Sequence, residues 1–93
     1  MDIVFVDSPD QDRYELRAGD ELVGFIDYRL HGDLVRLLHT EVLPAFNGQG
    51  HAATLARSAL DDARARGLAV RPHCPYVASY IDKHPDYADL VAS

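Results

Sequence analysis

PAFNGQGHAATLARSAL, residues 44–60, is the stretch on which the reading of the fold turns. Pro44 closes the strand before it, Gly48 and Gly50 stand two apart, and an alanine- and leucine-rich run follows. From Ala52 the apolar residues Ala52, Leu55, Ala56, Ala59, Leu60 and Ala63 recur at the spacing of one helix face. Arg57, Asp61, Asp62, Arg64 and Arg66 take the other face, and Gly67 stands where helices commonly end in a left-handed residue.

Upstream of this helix the periodicity becomes that of strands. "DIVFVD" alternates weakly, and after "SPDQD" the stretch "RYELR" sets Tyr14 and Leu16 on one face of a half-buried strand. "AGDE" turns the chain. Leu22 to Leu30 reads as a strand, "HGD" as a tight hairpin connection, and Leu34 to Val42 as the next strand. Downstream, "LAVRPH" is a short strand. Pro75 opens a second helix through "YVASYIDKH", which stops at Pro85 and leaves "DYADLV" as a loosely helical tail. The order β-β-β-β-α-β-α predicts an α/β (α+β) fold: a mixed, mostly antiparallel sheet of about five strands with two main helices, one domain over residues 1–93.

The chain is long enough for one modest core and too short for a second. With 47% apolar and 26% charged residues it lies outside the disordered regime. Its net charge of −6 argues against a nucleic-acid partner and for a cationic or amine-bearing one. The beginning "MDIVFVDSPD" has acids where a secretory leader carries cations, and no apolar run approaches the ~20 residues of a membrane span. A cytoplasmic protein with no membrane partner is expected. Cys74 is the only cysteine, which rules out an intramolecular disulfide or a cysteine-cluster zinc site. His31, His51, His73 and His84 have no ligand spacing, so no metal is expected.

The first turn of a helix carries backbone N–H groups without intrahelical partners and the positive end of the macrodipole, and so attracts anions, phosphates above all. Gly48 and Gly50 permit a positive φ and a close approach of the backbone there. The same pair also reads as a plain strand-to-helix turn, Asn-Gly being a common turn dipeptide. It is not a Walker loop, and Ala53 occupies the third glycine place of the dinucleotide fingerprint.

The combination "VLPAFNGQGHA" resembles the acetyl-coenzyme A pyrophosphate loop of the Gcn5-related N-acetyltransferases, with Val42, Pro44, Gly48, Gly50 and Ala52 in the family places. More narrowly the chain is similar to the small single-domain branch of that superfamily, through three ordered motifs: His39-Thr40-Glu41-Val42, Gly48 to Ala52, and Pro72 through Tyr87. Asn47 stands where the family usually has arginine or glutamine. The resemblance implies acetyl-coenzyme A as cosubstrate, with Asn47, Gly48, Gln49, Gly50, His51 and Ala52 around the pyrophosphate. Backbone groups near Val42 and Leu43 would pair with the pantetheine arm as an added strand would. The thioester would lie between the strand of His39 and Glu41 and the segment of Cys74.

Acetyl transfer needs a neutral amine, a polarised carbonyl and a stabilised leaving thiolate. Alternation sets His39 and Glu41 on one strand face, together with Val35 and Leu37, where the pair would serve as general base, directly or through water. The other reading of His39 is a core-edge histidine satisfied by a carbonyl. Cys74 precedes Pro75 at a helix N-cap, a place that favours thiolate and would make it an acetyl acceptor; it reads equally as a small buried apolar residue. The resemblance implies Tyr80, near the place where the superfamily often has a tyrosine that protonates the departing thiolate, as candidate general acid, with Tyr76 its rival, and both also read as packing aromatics. "SPDQD" is too short for the helical segment that encloses the acceptor in larger relatives, so an open acceptor site is expected, taking an exposed lysine or another basic amine. The expected function is thus an acetyl-coenzyme A-dependent N-acetyltransferase, monomeric or weakly dimeric. The alternatives are a coenzyme A-binding sensor with weak catalysis and a protein-interaction module.

Overall fold

A computed structural model of the protein describes residues 2–92. The strands are β1 (Ile3–Ser8), β2 (Arg13–Ala18), β3 (Glu21–His31), β4 (Leu34–Val42) and β5 (Ala69–Pro72), and the helices α1 (His51–Ala65) and α2 (Pro75–Lys83). Their order is the one the periodicity predicts. Short 3-10 turns occupy Pro9–Gln11 and Pro44–Phe46, and the tail Pro85–Leu90 is 3-10 as well. The five strands lie side by side in chain order. β1 to β4 pair antiparallel, and β5 pairs parallel to β4 because α1 carries the chain back between them.

One sheet face is covered. Tyr14, Leu16, Ile26, Val35, Leu37 and Val70 bury their side chains against Leu55, Ala56, Ala59 and Leu60 of α1 and Val77 and Ile81 of α2, in a single core. The molecule is only 19 Å across its shortest dimension, room for one helix layer on one sheet. The other sheet face carries no packed element among the described residues.

Two features of the sheet depart from simple alternation. Asp27 pairs with His39 and the next residue, Tyr28, with Leu37, so Leu38 is bulged out of the ladder. The phase of β4 reverses there. Val35 and Leu37 are buried in the core, whereas His39 and Glu41 project from the uncovered face and Thr40 and Val42 turn toward the helices. The sequence reading that placed all four of Val35, Leu37, His39 and Glu41 on one face is corrected by this single extra residue. Glu15, the alternation's solvent-facing residue in β2, is 1% exposed. Arg13 and Arg17 each donate an Nε–H to one of its oxygens, at 2.7 and 2.8 Å. Burial alone would raise the Glu15 pKa, but the two guanidinium hydrogen bonds and charges outweigh it and hold the carboxyl below its ordinary range.

The C-terminal end of α1 is tied to the first three strands. Tyr14 Oη donates to Asp62 at 2.9 Å, Tyr28 Oη donates to Asp7 at 2.6 Å, and Arg66 donates to both carboxylates, at 3.2 and 3.1 Å. Beneath this network the Phe5 and Tyr14 rings stack, and the Tyr28 ring packs tilted against Tyr14.

Candidate functional site

Strand β4 loses its neighbour halfway along. Its pairing with β5 covers Leu34 to Leu37 and ends at Pro72. The Cys74 N–H still donates to the Leu37 carbonyl, at 2.9 Å, and the chain then turns away into α2. Beyond the bulge, the edge of β4 that faces away from β3 has no strand beside it among the described residues. Leu43 donates its N–H to the Val23 carbonyl at 2.9 Å, and its own carbonyl accepts from Phe46, also at 2.9 Å. Since successive residues of a strand direct their N–H and C=O to opposite edges, Val42 and Thr40 present theirs to the free edge. Of the two residues expected to meet the pantetheine arm, Val42 has its backbone groups on the free edge, those of Leu43 are already engaged, and Thr40 shares the edge with Val42.

The free edge leads to the N-terminus of α1. After the turn at Pro44–Phe46, Asn47 is extended and exposed, and Gln49 is exposed beside it. Gly48 and Gly50 adopt φ values of 81° and 79°, left-handed conformations that side chains disfavour. A Cβ at either position would meet no protein atom within 4 Å, so the backbone conformation is what requires glycine here. Gly50 is the N-cap. No side chain caps the helix, and its first turn contains no acid. The first intrahelical bond runs from the Thr54 N–H to the Gly50 carbonyl, at 3.2 Å, which leaves the N–H groups of the first turn directed out of the helix end. Ala52 is half-buried within this turn, and His51 lies edge-on to the Phe46 ring.

The candidate catalytic side chains fall into two pairs on opposite faces of β4. His39 Nε2 and Glu41 Oε1 lie 3.1 Å apart on the uncovered face, with side chains 56% and 50% exposed. Across the strand Cys74 is 3% exposed, and its thiol donates to Thr40 Oγ1 at 3.2 Å. Cys74 is the N-cap of α2, as the sequence predicts, but as a buried thiol partnered by a hydroxyl. Thr40 belongs to the His39-Thr40-Glu41-Val42 motif, but the sequence reading gives it no role of its own. The apolar doublet Leu37–Leu38, which marks the change of phase in β4, is the signal that would have found it.

Tyr80 stands apart from both pairs. It lies six positions after Cys74, about 9 Å along the axis of α2. Its ring stacks on His84, with centroids 4.0 Å apart, and His84 Nδ1 is bonded to the Tyr80 carbonyl at 2.8 Å. Tyr87 completes the cluster and donates its hydroxyl to Asp61 of α1 at 2.7 Å. The "HPDY" segment thus ends α2 and packs the tail. Among the described residues no three histidine, cysteine or carboxylate side chains gather as a metal site, and no helix is long and apolar enough to cross a membrane.

Comparison with known proteins bears on the family and the fold. The model of the family of GCN5-related N-acetyl-transferases matches residues 13–90. The solution NMR structure of a GCN5-like protein from Staphylococcus aureus superposes with a TM-score of 0.72, over 97% of this chain and 88% of that one, at 18% identity. That likeness is one of fold. No curated protein matches the chain.

Proposed function

The chain belongs to the family of GCN5-related N-acetyltransferases, and from that premise we propose that it transfers acetyl from acetyl-coenzyme A to an amine presented at the uncovered face of the sheet. The observation that carries this reading is one juxtaposition: left-handed Gly48 and Gly50 deliver an uncapped helix N-terminus beside the free edge of β4. The two parts suit the two halves of the cosubstrate. The first-turn N–H groups of α1, flanked by Asn47, Gln49 and His51, would hold the pyrophosphate. The edge groups of Thr40 and Val42 would pair with the amide-bearing pantetheine arm as a further strand.

Bound acetyl-coenzyme A supplies an activated acyl group. As the amine nitrogen bonds the carbonyl carbon the carbon–sulfur bond breaks, and the departing thiolate takes a proton from water, so the protein has above all to bring a neutral amine to the thioester. A lysine amine, of ordinary pKa ~10.4, arrives charged at neutral pH and must lose a proton. The His39–Glu41 pair, half exposed on the face where an acceptor has access, would take that proton, and Glu41 would hold the imidazole in place. Cys74, buried and hydrogen-bonded to Thr40, lies on the other face, which favours direct attack by the amine over passage through an acetylated cysteine. Thr40 would fix the thiol and present its backbone to the cosubstrate. We assign the protein to the cytoplasm, acting as a monomer or weak dimer.

Two measurements test the proposal. Coenzyme A in the millimolar range should raise the melting temperature, and the absence of any shift would leave the glycines as a turn only. Intact mass after incubation with acetyl-coenzyme A and a lysine peptide should show acetylated peptide with wild type and with Cys74→Ala alike. An acetyl adduct on the protein that disappears in Cys74→Ala would overturn direct attack. Tight coenzyme A binding with no transfer to any of a panel of amines would favour the sensor.

A further inference from the structure

The uncovered sheet face carries a feature that the acetyl-transfer reading does not use. Arg29 pairs across β3 and β4 with Arg36, and Arg36 pairs across β4 and β5 with Arg71. Each alternates with core residues, Tyr28, Val35, Leu37 and Val70, so all three project from the uncovered face, and all three are exposed. With strands about 4.8 Å apart, the row is about 10 Å wide. Like charges directly opposite one another destabilise a sheet. The protein does little to relieve this: Arg29 has Asp12 at 3.6 Å, with both side chains more than half exposed, and neither Arg36 nor Arg71 has an ion-pair partner among the described residues. A shallow hollow of about 250 Å³ lined by Arg29, Leu30, His31 and Arg36 adjoins the row. This cationic strip lies on a chain whose net charge is −6.

We infer that Arg29, Arg36 and Arg71 form a docking row for an acidic segment of the acceptor polypeptide. Carboxylates complement the guanidinium fork, and the row is wide enough for two or three of them. A nucleic-acid duplex would run past its ends onto the acidic remainder of the surface, so a short acidic peptide is the better fit. Arg36 pairs with Arg29 and His39 with Asp27, two positions apart on β3 because Leu38 is bulged out, so His39 stands about 7 Å along the sheet from Arg36. An extended acceptor docked on the row therefore brings a lysine about two residues from its acidic group to the His39–Glu41 pair. The placement of the lysine rests on the proposed function; the docking does not.

Fluorescence anisotropy tests the docking with no acetyl-coenzyme A present, so that a failure of transfer and a failure of docking are separate results. The probes are a short labelled peptide with one lysine and a run of glutamates, its twin with glutamines, and a labelled single-stranded DNA oligomer. The glutamate peptide should bind at low salt and weaken as salt rises. Its affinity should fall about tenfold for Arg36→Gln/Arg71→Gln and by a smaller factor for Arg36→Lys/Arg71→Lys, which keeps the charge and loses the fork. The melting temperature of the glutamine variant should equal or exceed that of wild type, because the row is self-repulsive. Equal binding of the two peptides by wild type, or unchanged binding by the glutamine variant, would overturn the inference. Tighter binding of the oligomer than of the glutamate peptide would overturn the choice of occupant. A lower melting temperature in the glutamine variant would overturn the reading of the row as unrelieved charge.

Discussion

At the C-terminal end of α1, Asp62 and Arg66 join Asp7, Tyr14 and Tyr28 in a network that draws in β1, β2 and β3. At the N-terminal end, Gly50 caps nothing, no acid lies in the first turn, and the neighbouring half of β4 has a free edge. The same helix thus has one end whose polar groups are satisfied within the protein and one whose groups are left to be satisfied from outside. A helix end that needs only stability is closed by side chains. The N-terminal end, proposed to receive an anion, is left without a side-chain cap, and the fold is held from elsewhere.

Breaking the closed end should do most damage to stability and least to ligand binding. Asp62→Ala removes the acceptor of the Tyr14 hydroxyl and a partner of Arg66, and should destabilise by about 3 kcal/mol in urea unfolding. The rise in melting temperature caused by coenzyme A should be unchanged. Gly24→Ala acts between the two regions. An added Cβ would stand 2.7 Å from the Glu41 carbonyl oxygen, so β3 and β4 must part beneath the free edge, at a cost of about 2 kcal/mol. At the open end, Gly50→Val places a β-branched residue in a left-handed conformation and should cost only about 1.5 kcal/mol of stability. It should nevertheless weaken coenzyme A binding about tenfold by calorimetry, by re-aiming the first turn. If Asp62→Ala abolished the coenzyme A response while Gly50→Val left it intact, the division of labour between the two ends would be wrong.

The contrast between the ends was only partly legible in the sequence. The open end was visible because it is local: two glycines two apart, an apolar run with helical spacing and a preceding proline all lie between Pro44 and Leu60. The order of strands and helices followed from periodicity for the same reason. The closed end joins Asp7 to Arg66, and no local pattern couples residues that far apart. The faces of β4 were misread because a bulge is a property of pairing: Leu38 is extra only relative to β3. Thr40 was passed over on that account, and the stacking of the Tyr80 ring on His84 is a contact that periodicity does not reveal. The burial of Glu15 is likewise illegible, since nothing in "RYELR" says that both arginines fold back over it.

The mildest test of the closed end is alkaline pH. Burial, then hydrogen bonds to and the charges of the carboxylates of Asp62 and Asp7, push the hydroxyls of Tyr14 and Tyr28 well above the ordinary pKa of 10.0. In the unfolded chain both hydroxyls ionise near that ordinary value, whereas in the folded protein they remain protonated, so rising pH draws the equilibrium toward the unfolded state. Their contribution is therefore whole at neutral pH, begins to shrink as the pH approaches 10, and is lost progressively as it climbs toward the folded-state values. At pH 10 itself, with half of the unfolded-state hydroxyls ionised, each tyrosine gives up about 0.4 kcal/mol. Melting temperatures followed from about pH 8 to about pH 11 should fall for wild type, and the fall should be flatter in Tyr14→Phe/Tyr28→Phe, which starts lower because its two hydrogen bonds are gone. A descent equally steep in both proteins would place the alkaline sensitivity outside the closed end of α1.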